Sequence, residues 1–202
     1  MKLYFSPGAC SLSPHIVLRE AGLEFTLERV DIRKRQTAAG ADFTAINPKG
    51  YVPALQLNDG TVLTEGPAIV QFVADLAPDR QLAPSHGTLE RYQMVEWLNF
   101  IATELHKGFS PLFRPTSTEE MKQAARTNLA NRLGWVASRL EGSDYLLGSQ
   151  FTAADAYLFT VLGWGAVVGV DLSPWPVLTA FQQRVASRPA VQQAMREEGL
   201  IK

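Results

Sequence analysis

The chain has 202 residues, 46% of them hydrophobic and 19% charged, with a formal net charge of −1. This composition is ordinary for a soluble globular protein, and the charge leaves no electrostatic footprint for nucleic acid or an anionic membrane. One cysteine excludes an intramolecular disulfide and any multi-cysteine metal site, and a lone thiol suits a reducing compartment. The first residues, MKLYFSPGAC, contain no apolar signal core. The longest apolar stretch, 156–170, is interrupted by Thr160, Gly163, Gly165 and Gly169 and falls short of the roughly 20 residues that span a bilayer. A cytoplasmic chain of one large or two small domains is therefore expected.

In chain order, Lys2–Phe5 reads as a short strand broken by Pro7-Gly8. Ser11 or Ser13 can cap the following helix, Pro14 fits its first turn, and Gly22 stops it. Residues 25–30 suggest a strand near a sheet edge, and 31–46 are polar with room for a short helix at 42–46. Ala54–Leu57 and Thr61–Thr64 flank Asn58-Asp59-Gly60, which supplies the positive φ of a tight turn, so the pair is a β-hairpin. Gly66-Pro67 then opens a helix to about Leu76. The order is β-α-β-α-β-β-α, a small mixed α/β unit over 1–77.

Residues 78–87 are punctuated by Pro and Gly and read as a linker. From 88 to 202 the pattern is helical. Met94, Leu98, Ile101 and Leu105 recur at helical spacing, as do Met121, Ala125, Leu129, Leu133, Val136 and Leu140. Thr152 and Asp155 before an apolar run resemble a capping box with Asp in place of Glu or Gln. Phe181 and Val185 mark another helix, and Pro189 starts a last short one.

Several residues could carry chemistry. Cys10 lies between a strand and a helix start, where N–H dipoles favour a thiolate. It could equally be a small buried hydrophobe, and the strand-to-helix position favours the functional reading. The N–H of Gly66 stands at a helix start directly after a strand, a place that suits a carboxylate or phosphate. Arg33-Lys34-Arg35 is either an anion contact or a solvated charge run. Asn99, Thr103 and His106 fall on one helical face, and His106 could act as an acid or base near neutral pH. His15 reads as a helix-surface residue and Asp155 as a folding cap.

Three motifs in this order, SPGACSLSPHIVLREAG (6–22), Val52-Pro53 with Glu65-Gly66-Pro67-Ala68-Ile69, and WLNFIATELHKGFSPLF (97–113), resemble the glutathione transferases, specifically their bacterial, cysteine-containing beta class. The resemblance covers essentially the whole chain. It implies a thioredoxin-like α/β domain over 1–77 that binds glutathione, and an all-α domain over 88–202 that contributes the electrophile site.

The same resemblance implies a cis Val52-Pro53 bond, with Val52 pairing its backbone to the glutathione peptide like an added strand. It implies that Glu65 holds the glutathione ammonium and that the Gly66 N–H holds the γ-glutamyl carboxylate. Arg35 stands where the family has lysine and could meet the glycyl carboxylate. Asn99, Thr103 and Glu104 belong to the glutathione site, within or across subunits. Cys10 and His106 act on the sulfur. Phe109, Phe113 and Trp164, with Tyr157 nearby, could line an apolar pocket. Conjugation of the glutathione thiolate to apolar electrophiles is the implied activity, in a homodimer, with no metal or prosthetic group and glutathione as co-substrate. The alternatives are a glutathione-dependent thiol-disulfide oxidoreductase acting through a Cys10 mixed disulfide, and a non-catalytic carrier of glutathione or apolar ligands.

Overall fold

The computed structural model describes all residues, 1–202. The chain forms two compact units: Met1–Ala83 together with Ser187–Lys202, and Pro84–Ala186. The last helix of the chain therefore belongs to the first unit, whereas the sequence reading placed all of 88–202 together.

The first unit is built on β1 (Lys2–Phe5), which sits in the middle of a five-stranded sheet of order β3-β2-β1-β4-β5. It pairs in parallel with β2 (Thr26–Asp31) and antiparallel with β4 (Ala54–Gln56). The hairpin of β4 and β5 (Val62–Thr64) is the expected one, with Leu55 opposite Leu63 and Gly60 at φ +89° in the turn. Alternation along β1 then sorts the core. Leu3 and Phe5 face α1 (Leu12–Ala21), where Phe5 meets the His15 ring at 6.2 Å. Tyr4 points to the other face and packs with Val30, Phe43, Val52 and Ala54. The helix α2 (Gly66–Asp75) buries Ile69, Val70 and Val73 completely.

The short helix expected at 42–46 is a single 3₁₀ turn, Phe43–Ala45, capped by Asp42, and a two-residue strand β3 (Gln36–Thr37) precedes it. Phe43 is fully buried. One expectation needs correction: the Ser11 and Ser13 hydroxyls do not cap α1. The Ser11 hydroxyl accepts from the Ser6 N–H, and the Ser13 hydroxyl donates to the Cys10 carbonyl. Both hydroxyls brace the loop rather than the helix.

His15 is also misplaced by the sequence reading, since it is fully buried. Its Nδ1 lies 2.9 Å from Glu198 and its Nε2 2.8 Å from Glu197, on and just after α9 (Pro189–Glu197). Arg19 adds a second ion pair to Glu197, and Arg188 grips Glu20 of α1 through two hydrogen bonds. Burial alone would raise the Glu197 carboxyl, but hydrogen bonds from Gln193, His15 and Arg19 together bring it below the usual range. Carboxylates 182 and 183 residues away leave no local signal, so a lone histidine on an apolar helix looks like a surface residue.

The second unit contains α3 (Leu89–Phe100), a π-helical turn (Ile101–His106), α4 (Lys107–Phe113), α5 (Glu119–Leu140), α6 (Ala153–Gly163), α7 (Gly165–Val168) and α8 (Pro176–Ala186). The stripe Met94, Leu98, Ile101 and Leu105 is buried as its spacing predicts. On α5 the stripe is buried only from Leu129 onward, and Met121 is half exposed. Gly108 lets α4 approach α5 closely, since a Cβ there would stand 3.0 Å from a Leu129 methyl. No helix is long and apolar enough to cross a membrane.

Helix α6 is buried on every side. Its start is held by Asp155, whose carboxylate accepts the N–H and hydroxyl of Thr152 and the N–H of Leu146. Burial outweighs these hydrogen bonds and pushes the Asp155 carboxyl up to about 6.

Two stability outcomes follow. His15→Leu strips the hydrogen-bond partner from two carboxylates, one of them fully buried, and should cost about 3 kcal/mol or more in urea denaturation. Asp155→Ala removes a cap and leaves two buried N–H groups without their acceptor, a cost of about 2–4 kcal/mol. Because the folded state of Asp155 binds its proton more tightly than the unfolded chain, its contribution to stability declines as pH rises from about 4 to about 6 and is level above. The stability gap between wild type and Asp155→Ala, followed by urea midpoints, should therefore be wider at pH 4 than at pH 7.

Candidate functional site

In the first unit the predicted residues converge around the loop that leads into β4. Asn47 is buried and anchors it: its amide donates to the Tyr51 carbonyl at 2.7 Å and its Oδ1 accepts the Lys49 N–H. Val52-Pro53 is a cis peptide, and the Val52 carbonyl accepts the thiol of Cys10 at 3.3 Å. Cys10 is partly exposed and stands two residues before α1, in a loop tied down by the Gly8 N–H to Glu198 at 2.9 Å.

The hairpin brings Glu65 to the same place. Ala54 pairs with Thr64, so Pro53 and Glu65 are the next positions along the ladder, and a Cβ on Gly66 would stand 3.9 Å from the Pro53 ring. Glu65 has φ +69°, a backbone conformation that costs a non-glycine residue energy and is retained where the surroundings enforce it. Its Oε1 accepts from Lys49 Nζ at 2.5 Å and from the Tyr51 hydroxyl at 2.9 Å. The hydrogen bonds they donate to Glu65 raise both the Lys49 ammonium and the Tyr51 phenol above their ordinary values. Arg35 adopts φ +53° and lays its side chain over Gly50, itself at φ +72°. A carboxylate, a helix start, two cations and a thiol thus gather along the loop 49–53, an arrangement suited to a zwitterionic peptide.

In the second unit the site residues lie along α3 and the π turn. The sequence reading took 99–106 as one regular helix. Instead the Lys107 N–H reaches back five residues to the Ala102 carbonyl, so the winding widens at His106. Pro111 follows closely and has no N–H to return to the Lys107 carbonyl, which is a local cause of irregular winding. Asn99 and Thr103 remain exposed and satisfy themselves on the preceding turn, Asn99 on the Val95 carbonyl and Thr103 on the Asn99 carbonyl. Glu104 pairs with Arg132 of α5 at 2.8 Å.

His106 is held by aromatic groups. Its Nδ1 lies 2.7 Å from the Tyr157 hydroxyl, and its ring meets Trp164 edge to face at 4.7 Å. Trp164 also meets Phe109 and Phe113. Phe109 has no exposed surface, Trp164 is nearly buried, and Phe113 is 46% exposed, so Phe113 presents the open face of this cluster. No group of three His, Cys, Asp or Glu side chains is placed to hold a metal.

Lys49, Tyr51 and the hydroxyl of Tyr157 escaped the sequence reading. Lys49 and Tyr51 flank Gly50 in the loop before Val52-Pro53, and both side chains reach the same Glu65 oxygen. Tyr157 was read only for its apolar ring.

Residues 8–76 match the family model "Glutathione S-transferase, N-terminal domain", and residues 100–189 match "Glutathione S-transferase, C-terminal domain". The chain is 53% identical over 200 residues to the glutathione S-transferase GstA of Escherichia coli O157:H7, covering 99% of this chain and 100% of that one. A sphingomonad glutathione S-transferase solved in complex with glutathione shares 47% identity with a TM-score of 0.96, and the match covers 100% of both chains. A bacterial beta-class glutathione S-transferase of Sphingomonas chungbukensis shares 50% identity with a TM-score of 0.97, again over 100% of both chains. The chain belongs to the glutathione S-transferase family, in its bacterial beta class.

Proposed function

We propose that this protein conjugates the thiolate of glutathione to apolar electrophiles. The observation that carries this reading is the meeting of the Cys10 thiol, the Val52 carbonyl and the Glu65–Gly66 helix start in one unit. The first unit binds glutathione, and the helices of the second unit, within 84–186, contribute the electrophile site. The Val52 backbone pairs with the cysteinyl residue of the peptide as an added strand, against Pro53. The Gly66 N–H holds the γ-glutamyl carboxylate, and the substrate's ammonium takes the place that Lys49 holds on Glu65. Arg35 holds the glycyl carboxylate. Asn99, Thr103 and Glu104 complete the polar contacts, and Phe109, Phe113 and Trp164 form the apolar surface, with Phe113 the most accessible.

The thiolate attacks an electrophilic carbon; the new C–S bond forms as the leaving group departs with its electron pair. His106 offers an N–H to the sulfur, and Cys10 sits beside it. Positioning and stabilisation of the thiolate are the protein's main contributions. The working form is a cytoplasmic homodimer, and the exposed Leu89 and Tyr92 on α3 suit a subunit contact.

A second activity rests on the partial exposure of Cys10. Its thiolate can attack a glutathionylated disulfide, releasing the partner thiolate and leaving a Cys10–glutathione mixed disulfide. A second glutathione thiolate then attacks that bond, giving glutathione disulfide and restoring Cys10.

Steady-state conjugation of glutathione to a chlorodinitrobenzene tests the first reading. Glu65→Gln should raise the KM for glutathione about tenfold or more, because a charge-assisted contact is lost. Cys10→Ala should lower the conjugation rate by roughly three- to tenfold, leaving the part carried by His106 and the helix start, and should abolish glutathione-dependent disulfide reduction. Glutathione binding without turnover of any electrophile or disulfide would overturn the reading in favour of a carrier.

A further inference from the structure

Tyr157 is 3% exposed and sits on α6, which is buried on all sides and capped by Asp155. Its hydroxyl is therefore presented from a fixed post. It lies 2.7 Å from Nδ1 of His106, with the two rings nearly perpendicular. Trp164, at the end of the same helix, packs edge to face against the imidazole and restrains its rotation. The imidazole itself hangs from the end of the π turn, where the backbone ladder is least regular. Without side-chain support the ring would have rotational freedom.

We propose that Tyr157 is a positioning residue that donates its O–H to His106 Nδ1 and so fixes the imidazole as the Nε2–H tautomer. The direction follows from donor and acceptor strength. A phenol is a better proton donor than a neutral imidazole N–H, and an unprotonated imidazole nitrogen is a better acceptor than a phenol oxygen. In the neutral ring one nitrogen donates and the other accepts, so a donor locked on Nδ1 leaves the proton on Nε2. A second group that sets a histidine's tautomer commonly governs its usefulness as strongly as the histidine's own position. The inference rests on the part given to His106 in the proposed function: an Nε2–H is what a sulfur anion needs, and an unprotonated Nε2 would repel it. The hydrogen bond also opposes loss of the ring's orientation, so it acts on turnover more than on glutathione affinity.

The test is Tyr157→Phe, which removes one oxygen and keeps the ring that packs α6. Long-range ¹H–¹⁵N spectra of labelled protein at a pH where the ring is neutral read the His106 tautomer, with His106→Gln assigning its signals against His15 and His86. Wild type should show the Nε2–H form, and Tyr157→Phe a mixture of both forms. The kcat for chlorodinitrobenzene conjugation should fall about five- to tenfold, with the KM for glutathione within about twofold and a displaced alkaline or acid limb in the pH profile of kcat. An Nδ1–H tautomer in wild type, or a His106 spectrum unchanged in Tyr157→Phe, would overturn the proposal. His106→Gln separates the two readings: full kcat in that variant would remove His106 from the proposed mechanism, while the tautomer shift still decides whether Tyr157 holds the ring.

Discussion

The first unit depends on one buried carboxylate. Glu198 has no exposed side-chain surface, so each of its oxygens needs a hydrogen-bond partner inside the protein. It is retained by two partners at once: Oε1 faces Nδ1 of His15, and Oε2 accepts the Gly8 N–H. Gly8 lies two residues before Cys10, so the same carboxylate that meets the α1 histidine also sets the loop that delivers the thiol. Arg188 and Glu20 repeat the tie at the other end of α9. The C-terminal helix is thus a structural part of the sheet unit. Residues 197 and 198 lie outside both stretches that match the family models, which end at 76 and 189.

The second unit uses a different constraint. A helix buried on all faces cannot shift without opening a cavity, and α6 is also fixed at its start by three hydrogen bonds to Asp155. Tyr157 and Trp164 project from this immobile element. The segment facing them is the reverse: a π turn followed closely by Gly108 and Pro111, where regular winding fails. A rigid post and an irregular strand of helix together hold an imidazole better than two regular helices, because the irregular one can place a side chain off the buried stripe without giving up Ile101 and Leu105 to solvent.

Much of this was legible in the residues, for identifiable reasons. The hairpin announces itself through Asn58-Asp59-Gly60, the start of α2 through Gly66-Pro67, and the stripe of α3 through its spacing; each is a local rule read over a few residues. The cap of α6 is likewise local, Thr152 to Asp155. What escaped are features set by tertiary partners. His15 looked superficial because its carboxylates lie more than 180 residues away. The π turn was hidden by an unbroken stripe, although Pro111 in a helical run was a usable warning. Lys49 lay unremarked three residues before Val52, since a lysine in a polar loop is ordinary until its carboxylate is known.

The thiol's partner bears on which chemistry the site favours. Cys10 donates to the Val52 carbonyl, the same backbone group that an extended peptide would use. A thiol is a weak donor, and a peptide N–H is a much better one. On the proposed reading, docking of glutathione therefore places a stronger donor on that carbonyl and weakens the hold on the Cys10 proton. Conjugation does not need that proton to leave, since the attacking sulfur belongs to the peptide. Mixed-disulfide chemistry does need it, because only the thiolate attacks sulfur. The two activities then share a binding mode but differ in what occupancy does to Cys10: a bystander dipole for one, a nucleophile released by the substrate's own backbone for the other. A single carbonyl with two lone pairs is enough to couple them, which is why a lone cysteine at this turn is compatible with both.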